Sequence, residues 1–302
     1  MLNILNYLNR PEYVFRPRQV LRRIRRMWRA PQAEEVVKLP WGADVKIRPN
    51  ENIGSEIYHY GIFDRVVPEA IYRLADQNEL AIEVGANIGQ NCSLMAFRTT
   101  PRGRVIAFEP HPEIFEELKA NANQWPESTR QNIQLENIAL GETSGEAWLR
   151  NGSEFEHNRG SAALGDPASE NHRAFKVNLR PLDDYIRPTE TVGVCKIDVE
   201  GHELSVLKGA ARALARRAIR DIIFEDFSPM FSPTAQFLQK HNFTLFQLVA
   251  SWWKPVLVEA RAGVAPAKGF SFNYLATLDP QRATQRFQPG GWRCLTCPRS
   301  NQ

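Results

Sequence analysis

Residues 80–89 read Leu80-Ala81-Ile82-Glu83-Val84-Gly85-Ala86-Asn87-Ile88-Gly89. The first five form the continuous apolar run of a strand buried on both faces, broken only by an acid near its end. Gly85 and Gly89 then supply a turn that side chains would obstruct, and the apolar spacing of 88–97 predicts the helix that follows. The next strand, predicted over 104–108, ends in Phe108-Glu109-Pro110, with Glu109 twenty residues after Gly89. A carboxylate at the end of that second strand is placed to accept both hydroxyls of a ribose. Together the two features specify an adenosine-type ligand.

A dinucleotide fingerprint needs glycine at three positions so that a pyrophosphate can sit on bare backbone. Counting from Gly85, the second position is Asn87 and the third Gln90, and both fail. A nicotinamide-dependent oxidoreductase (NAD) is therefore the weaker reading. An adenosine ligand without pyrophosphate and with a charged amino-acid end, such as S-adenosylmethionine, fits better. Gly85, Asn87 and Gly89 should shape its pocket, Glu83 should face its charged end and Glu109 should hold its ribose. Asn137, after the third strand, is a candidate adenine contact.

Working outward, the pattern keeps alternating. Helices are predicted over 70–75, 112–123, 203–214 and 234–240, and strands over 133–135, 192–197, 221–224, 243–249 and 272–277. This is an α/β chain with a mostly parallel sheet covered by helices on both faces. The last two strands have no clear helix between them and should be antiparallel neighbours. Residues 151–173 and 252–269 read as long loops, and 157–161 within the first is a candidate acceptor wall.

The second constellation is Lys196-Ile197-Asp198-Val199-Glu200-Gly201-His202-Glu203, where a strand gives way to a helix. Ile222-Ile223-Phe224 then runs into Glu225-Asp226. Ligands of open α/β sheets bind outside the carboxyl ends of the strands, so these acids should gather on one edge with Glu83 and Glu109. Asp198 and His202 are the candidate bases, with Glu200 beside them, whereas Glu203 suits a helix N-terminal cap. Asp198, Glu225 and Asp226 form an all-oxygen set that would suit Mg²⁺. Cys294 and Cys297 have no second pair to complete a zinc site, because Cys92 and Cys195 fall in predicted core elements.

The chain resembles FkbM-type S-adenosylmethionine-dependent methyltransferases. The resemblance rests on Glu83 to Gly89, Val105 to Pro110, Asn137 to Gly141, Leu182 to Asp184, Lys196 to Glu203 and Val206 to Ala210, and it covers roughly residues 50–278. Glu83 departs from the Asp more common in that family. The resemblance implies a Rossmann-like class I fold of seven strands with the last reversed. It also implies methyl transfer to a hydroxyl of a sugar, a glycan or a secondary metabolite.

Composition is that of a globular chain: 302 residues, 43% hydrophobic and 24% charged, with four cysteines, too sparse for a disulfide framework. A cytoplasmic location is expected. Charge is uneven: from Arg10 to Arg29 there are eight arginines against Glu12, while the remainder carries a net −3. A body of that sign argues against coating by nucleic acid, although the arm keeps an RNA methyltransferase as an alternative. Val20, Leu21, Ile24, Met27 and Trp28 share one side of a helical wheel. They predict a helix that packs on the body by that stripe or lies peripherally on a membrane through Arg16 to Arg29. The expected organisation is a basic arm with a β-hairpin cover over 1–65, a methyltransferase domain over 66–280, and a polar tail over 281–302 that frays. The acceptor is expected to be a small molecule or glycan, and the oligomeric state is open.

Overall fold

The computed structural model describes residues 10–27, 31–152, 155, 157–165, 173–227, 232–260 and 272–297. Helices α1 (Pro11–Phe15) and α2 (Pro17–Met27) precede an antiparallel hairpin of β1 (Glu35–Lys38) and β2 (Asp44–Ile47). The hairpin docks through tryptophan: the Trp41 indole donates to Ser93 Oγ at 2.9 Å, and Trp125 donates to the Asp44 carbonyl at 3.0 Å. Helices α3 (Asn52–Tyr60) and α4 (Val66–Leu74) lead into the alternating body. It begins β3 (Leu80–Val84), α5 (Gln90–Thr99), β4 (Arg104–Phe108), α6 (Pro112–Ala122), α7 (Glu127–Arg130) and β5 (Ile133–Glu136).

An insertion follows: β6 (Ala139–Leu140), β7 (Gly145–Arg150), β8 (Ala163–Leu164) and β9 (Ala174–Arg180) form a separate four-stranded sheet in the order β6-β9-β7-β8. The body resumes with β10 (Val192–Ile197), α8 (Glu203–Lys208), α9 (Ala211–Ala215), β11 (Ile219–Glu225), α10 (Pro233–Lys240) and β12 (Thr244–Ala250). It closes with β13 (Pro255–Glu259), β14 (Asn273–Thr277), α11 (Pro280–Phe287) and α12 (Arg293–Thr296).

The main sheet runs β13-β12-β14-β11-β10-β3-β4-β5. Strands β11, β10, β3, β4 and β5 are mutually parallel, and β14 inserts antiparallel between β11 and β12. The expected seven strands with the chain-final one reversed are present, plus an eighth, β13, on the edge beside β12. That strand lies in the segment read as a loop. Pro255 argues against a central strand, but an edge strand tolerates it. The expected loop over 151–173 is likewise interrupted, by the short strand β8. Phe175, Val177 and Leu179 alternate with polar residues in β9 and pack together in that small sheet.

Alternation sorts the core. Ala81, Val105, Ala107, Val194 and Ile223 face one layer with α4, α5 and the hairpin. Ile82, Val84, Ile106, Phe108, Ile222 and Phe224 face the other with α8, α9 and α10. The single helix predicted over 203–214 is broken at Gly209 and Ala210, and a Cβ at Gly209 would lie 2.1 Å from the Gly141 carbonyl. The insertion presses on the helix at that point.

Two expectations fail at the termini, packing of the basic helix by its apolar stripe and fraying of the polar segment after β14. In α2, Gln19 and Arg23 are buried while Leu21 and Ile24 are 59% and 48% exposed, so the helix packs by its polar side. Its partner surface is aromatic: Arg26 lies 4.0 Å from the Tyr58 ring centroid and Arg23 5.2 Å from that of Tyr60. A guanidinium stacks on such a surface and buries its stem there. Trp28 lies outside the described residues. At the other end, residues 280–297 dock rather than fray, and 298–302 lie outside the described residues. Arg73, held by Glu69, donates to the carbonyls of Arg286, Pro289 and Gly291, and Trp292 is fully buried. No helix among the described residues is long and apolar enough to cross a membrane.

Candidate active site

Because β3, β4, β10 and β11 are parallel, their carboxyl ends share one edge, and β14, running the other way, begins there. A cavity of about 410 Å³ opens at that edge. The strand order places Glu109 toward one end, Glu225 toward the other, and Gly85 with Asp198 between them.

Gly85 has φ +83°, and a Cβ there would meet the Asp198 carbonyl at 2.0 Å, so only glycine lets the β3 and β10 ends approach. Asn87 also has positive φ, and its N–H donates to Glu109 Oε2 at 2.8 Å. Gly89 serves packing instead. It is not part of the cavity wall, and a Cβ there would strike Leu118 and Trp125.

Glu109 lines the cavity with its other oxygen accepting from the His111 N–H at 2.9 Å. Burial pushes it up to about 7 against the pull of those two N–H groups. Glu83 is almost wholly buried, and burial raises it to about 8 despite Lys196. Its Oε2 has no hydrogen-bond partner among the described residues. Lys196 Nζ lies 3.0 Å from Asp198, 3.9 Å from Glu83, and donates to the Gly85 carbonyl at 3.2 Å.

The turn after β10 is built by Glu203, whose Oε1 accepts from the N–H groups of Val199 and Gly201, both at 3.2 Å. Glu203 thus braces the turn before the helix, and the helix has no side-chain cap of the kind expected of it. The turn presents Asp198, Glu200 and His202 to the cavity together. Glu200 is raised by burial and by the neighbouring Asp198 charge. Burial holds the His202 imidazole below its usual range, so it is neutral at pH 7, and its Nε2 pairs with no described group.

At the far end Glu225 is raised to about 7 by burial and then by the Asp198 charge. Asn273 sits directly opposite it in the β11–β14 register and donates to Asp64 Oδ2 at 2.8 Å. Asp64, half-buried, is raised to about 6, chiefly by burial.

Three expectations need correction. Asp226 does not join Asp198 and Glu225: it stands outside the cavity wall, holds the Ser232 hydroxyl, and pairs its N–H with the Phe272 carbonyl. Consecutive residues at a strand end point to opposite faces. Among the described residues no three side chains converge to bind a metal, so the Mg²⁺ set is withdrawn. Asn137 is also outside the cavity wall; its amide donates to the carbonyls of Glu109 and Pro110 and secures that turn. Of the 157–161 segment, Asn158, Arg159 and Gly160 do line the cavity, but at the Glu109 end. Arg159, bound to both oxygens of Glu117, is one of the charges that pull on Glu109.

Sequence reasoning missed Asp64 and Asn273 as site residues. Asp64 sits in an irregular segment between two helices, and Asn273 is the first residue of a strand. Only the position of Asn273 at the head of the reversed strand could have pointed to it.

Comparison with known proteins bears on the family of the chain. The methyltransferase FkbM domain model matches residues 83–245. The chain is 30% identical over 142 residues to hexuronic acid methyltransferase AglP of Haloferax volcanii, covering 46% of this chain and 53% of that protein. It thus spans about half the length of that relative. It is 25% identical over 211 residues to methyltransferase sdnD of Sordaria araneosa, covering 58% and 77%. A solved SAM-dependent O-methyltransferase from Thermotoga maritima aligns at TM-score 0.40 and 14% identity, over 80% of this chain and 77% of that one. The matched segment begins at Glu83 and takes in the glycine turn, Glu109, the Asp198 to Glu203 turn and Glu225; this chain belongs to the FkbM methyltransferase domain family.

Proposed function

We propose that the chain is an S-adenosylmethionine-dependent O-methyltransferase acting on a hydroxyl of a sugar, glycan or secondary metabolite. The observation that carries this reading is the gathering of Glu83, Glu109, Asp198, Glu200 and Glu225 around one cavity beside a glycine turn. The residues fit the cofactor. Glu83 offers a buried, unpaired oxygen to an ammonium group. Glu109 keeps a free lone pair on each oxygen for ribose hydroxyls, and the turn at Gly85 leaves backbone bare beside it.

When bound between Glu83, Glu109 and the turn at Gly85, S-adenosylmethionine would supply an electrophilic methyl group for an acceptor hydroxyl. A sugar hydroxyl is a poor acid, so a base of the chain must take its proton as the methyl group is transferred. His202 fills this role best, because its imidazole is neutral at pH 7 and its ring is not tied to another described group. Asp198, oriented by Lys196, orients the hydroxyl, and Glu200 closes the same side.

Calorimetric titration with S-adenosylmethionine tests the reading. The native chain should bind, and Glu109→Ala should weaken binding at least about tenfold, as expected for loss of hydrogen bonds to a charged group. Unchanged affinity in that variant would overturn it.

A further inference from the structure

The end of the cavity away from Glu109 carries the carboxylates of Asp64, Asp198, Glu200 and Glu225. Among the described residues the cavity wall has two cations, and both are committed. Lys196 is taken by Asp198, Glu83 and the Gly85 carbonyl. Arg159 is taken by Glu117 at the opposite end. Glu225 itself makes no hydrogen bond among the described residues, while Asn273, directly across from it, steadies Asp64. That this cavity is built for a ligand is supported independently by the orphaned oxygen of Glu83, which is 1% exposed and lines it.

From this arrangement we infer that Glu225 and Asp64 form the acceptor subsite and select an acceptor that presents hydrogen-bond donors, a neutral polyol face or an amino sugar, and reject one that presents a carboxylate. The inference rests on the O-methyltransferase reading and deepens it. A carboxylate brought into this end would meet four carboxyl groups with no uncommitted cation among the described residues to pair it, whereas hydroxyl or ammonium donors satisfy their acceptor oxygens. Glu225, Asp198 and Glu200 come from the segment shared with the family, while Asp64 and Asn273 lie outside residues 83–245. Two of its residues thus stand outside the segment that the family model matches. The preference of the subsite should differ from that of the relative named for a hexuronic acid.

The test offers the full-length chain and radiolabelled S-adenosylmethionine three probes: methyl glucoside, methyl glucosaminide and methyl glucuronide. Transfer should occur to the neutral or the amino glycoside and be at least about tenfold slower to the glucuronide, the size expected for a charged group left unpaired. Glu225→Gln should raise KM for the accepted glycoside about tenfold with little change in kcat, since a neutral amide keeps the shape but loses the charged acceptor. Asp64→Asn, which keeps the contact with Asn273, should raise KM in the same direction. Affinity for S-adenosylmethionine should hold in both variants, a split that misfolding would not produce. Faster transfer to the glucuronide, an unchanged KM in Glu225→Gln, or no transfer to any of the three by a chain that binds S-adenosylmethionine would overturn the subsite. Failure to bind S-adenosylmethionine at all would instead overturn the O-methyltransferase reading beneath it.

Discussion

The Lys196 ammonium stands 3.0 Å from the Asp198 carboxylate. It also lies 3.9 Å from Glu83, so one cation stands between the carboxylates that the neighbouring strands β3 and β10 bring to the middle of the cavity. The attraction of Asp198 and Glu83 outweighs burial and keeps Lys196 above its ordinary value, hence charged.

Removing that charge should unbalance the site. Lys196→Met is expected to cost roughly 2–3 kcal/mol at pH 8, somewhat under the range for breaking a fully buried pair because Asp198 is partly solvated. At pH 5 the cost should shrink, since Glu83 then holds a proton. Urea denaturation at the two pH values checks both the size and the direction.

Two glycines with similar backbone angles should respond differently to alanine. Gly85 and Gly201 have φ of +83° and +90°, but nothing lies within 4 Å of a Cβ at Gly201, whereas one at Gly85 would meet the Asp198 carbonyl at 2.0 Å. Gly201→Ala should cost about 1–2 kcal/mol, the penalty of the left-handed region alone. Gly85→Ala should cost at least about 4 kcal/mol by adding a backbone clash, and should abolish cofactor binding. Chemical denaturation beside calorimetric titration distinguishes them.

Protonation of the cavity acids sets a pH dependence. Glu83, Glu109, Glu225 and Asp64 sit at about 8, 7, 7 and 6, above ordinary values of 4.5 and 3.8. The folded chain therefore holds protons that the unfolded chain has released. The contribution of these four groups to the stability of the ligand-free chain is complete below about pH 4 and is lost progressively up to about pH 8 as they ionise in place. Glu83→Gln should flatten the upper part of that fall. A cationic ligand stabilises the ionised carboxylates, so S-adenosylmethionine binding at pH 7 should release protons. Calorimetry in two buffers of different ionisation enthalpy measures that release.

The docked C-terminus makes a further prediction. Trp292 is fully buried and its neighbours' carbonyls are held by Arg73. Trp292→Ala should cost roughly 3–5 kcal/mol, as for other large core truncations. A loss under about 1 kcal/mol would mean that the segment frays in solution.

Strand ends were legible where the chain is periodic: the elements around Glu83, Glu109 and the Asp198 to Glu203 turn stand where apolar runs and glycines put them. Other parts were hidden for physical reasons. The strand at Pro255 violates a rule that binds only central strands. In α2 the apolar stripe predicted the wrong inward face, because the aromatic surface it meets prefers guanidinium groups to Leu21 and Ile24.

The sequence by itself determined the parallel sheet, its reversed final strand and the family, since these follow from local periodicity and short motifs whose residues are neighbours in the chain. Tertiary structure alone decided which further side chains join the acids of that edge and which acid is left out. It brought Asp64 and Asn273 beside Glu225 across 161 and 48 residues of sequence, and turned Asp226 away although it adjoins Glu225. The reason is geometric: a strand alternates its faces with every residue, and closing a long loop costs only a logarithm of its length. Adjacency in sequence therefore says little about company in the site.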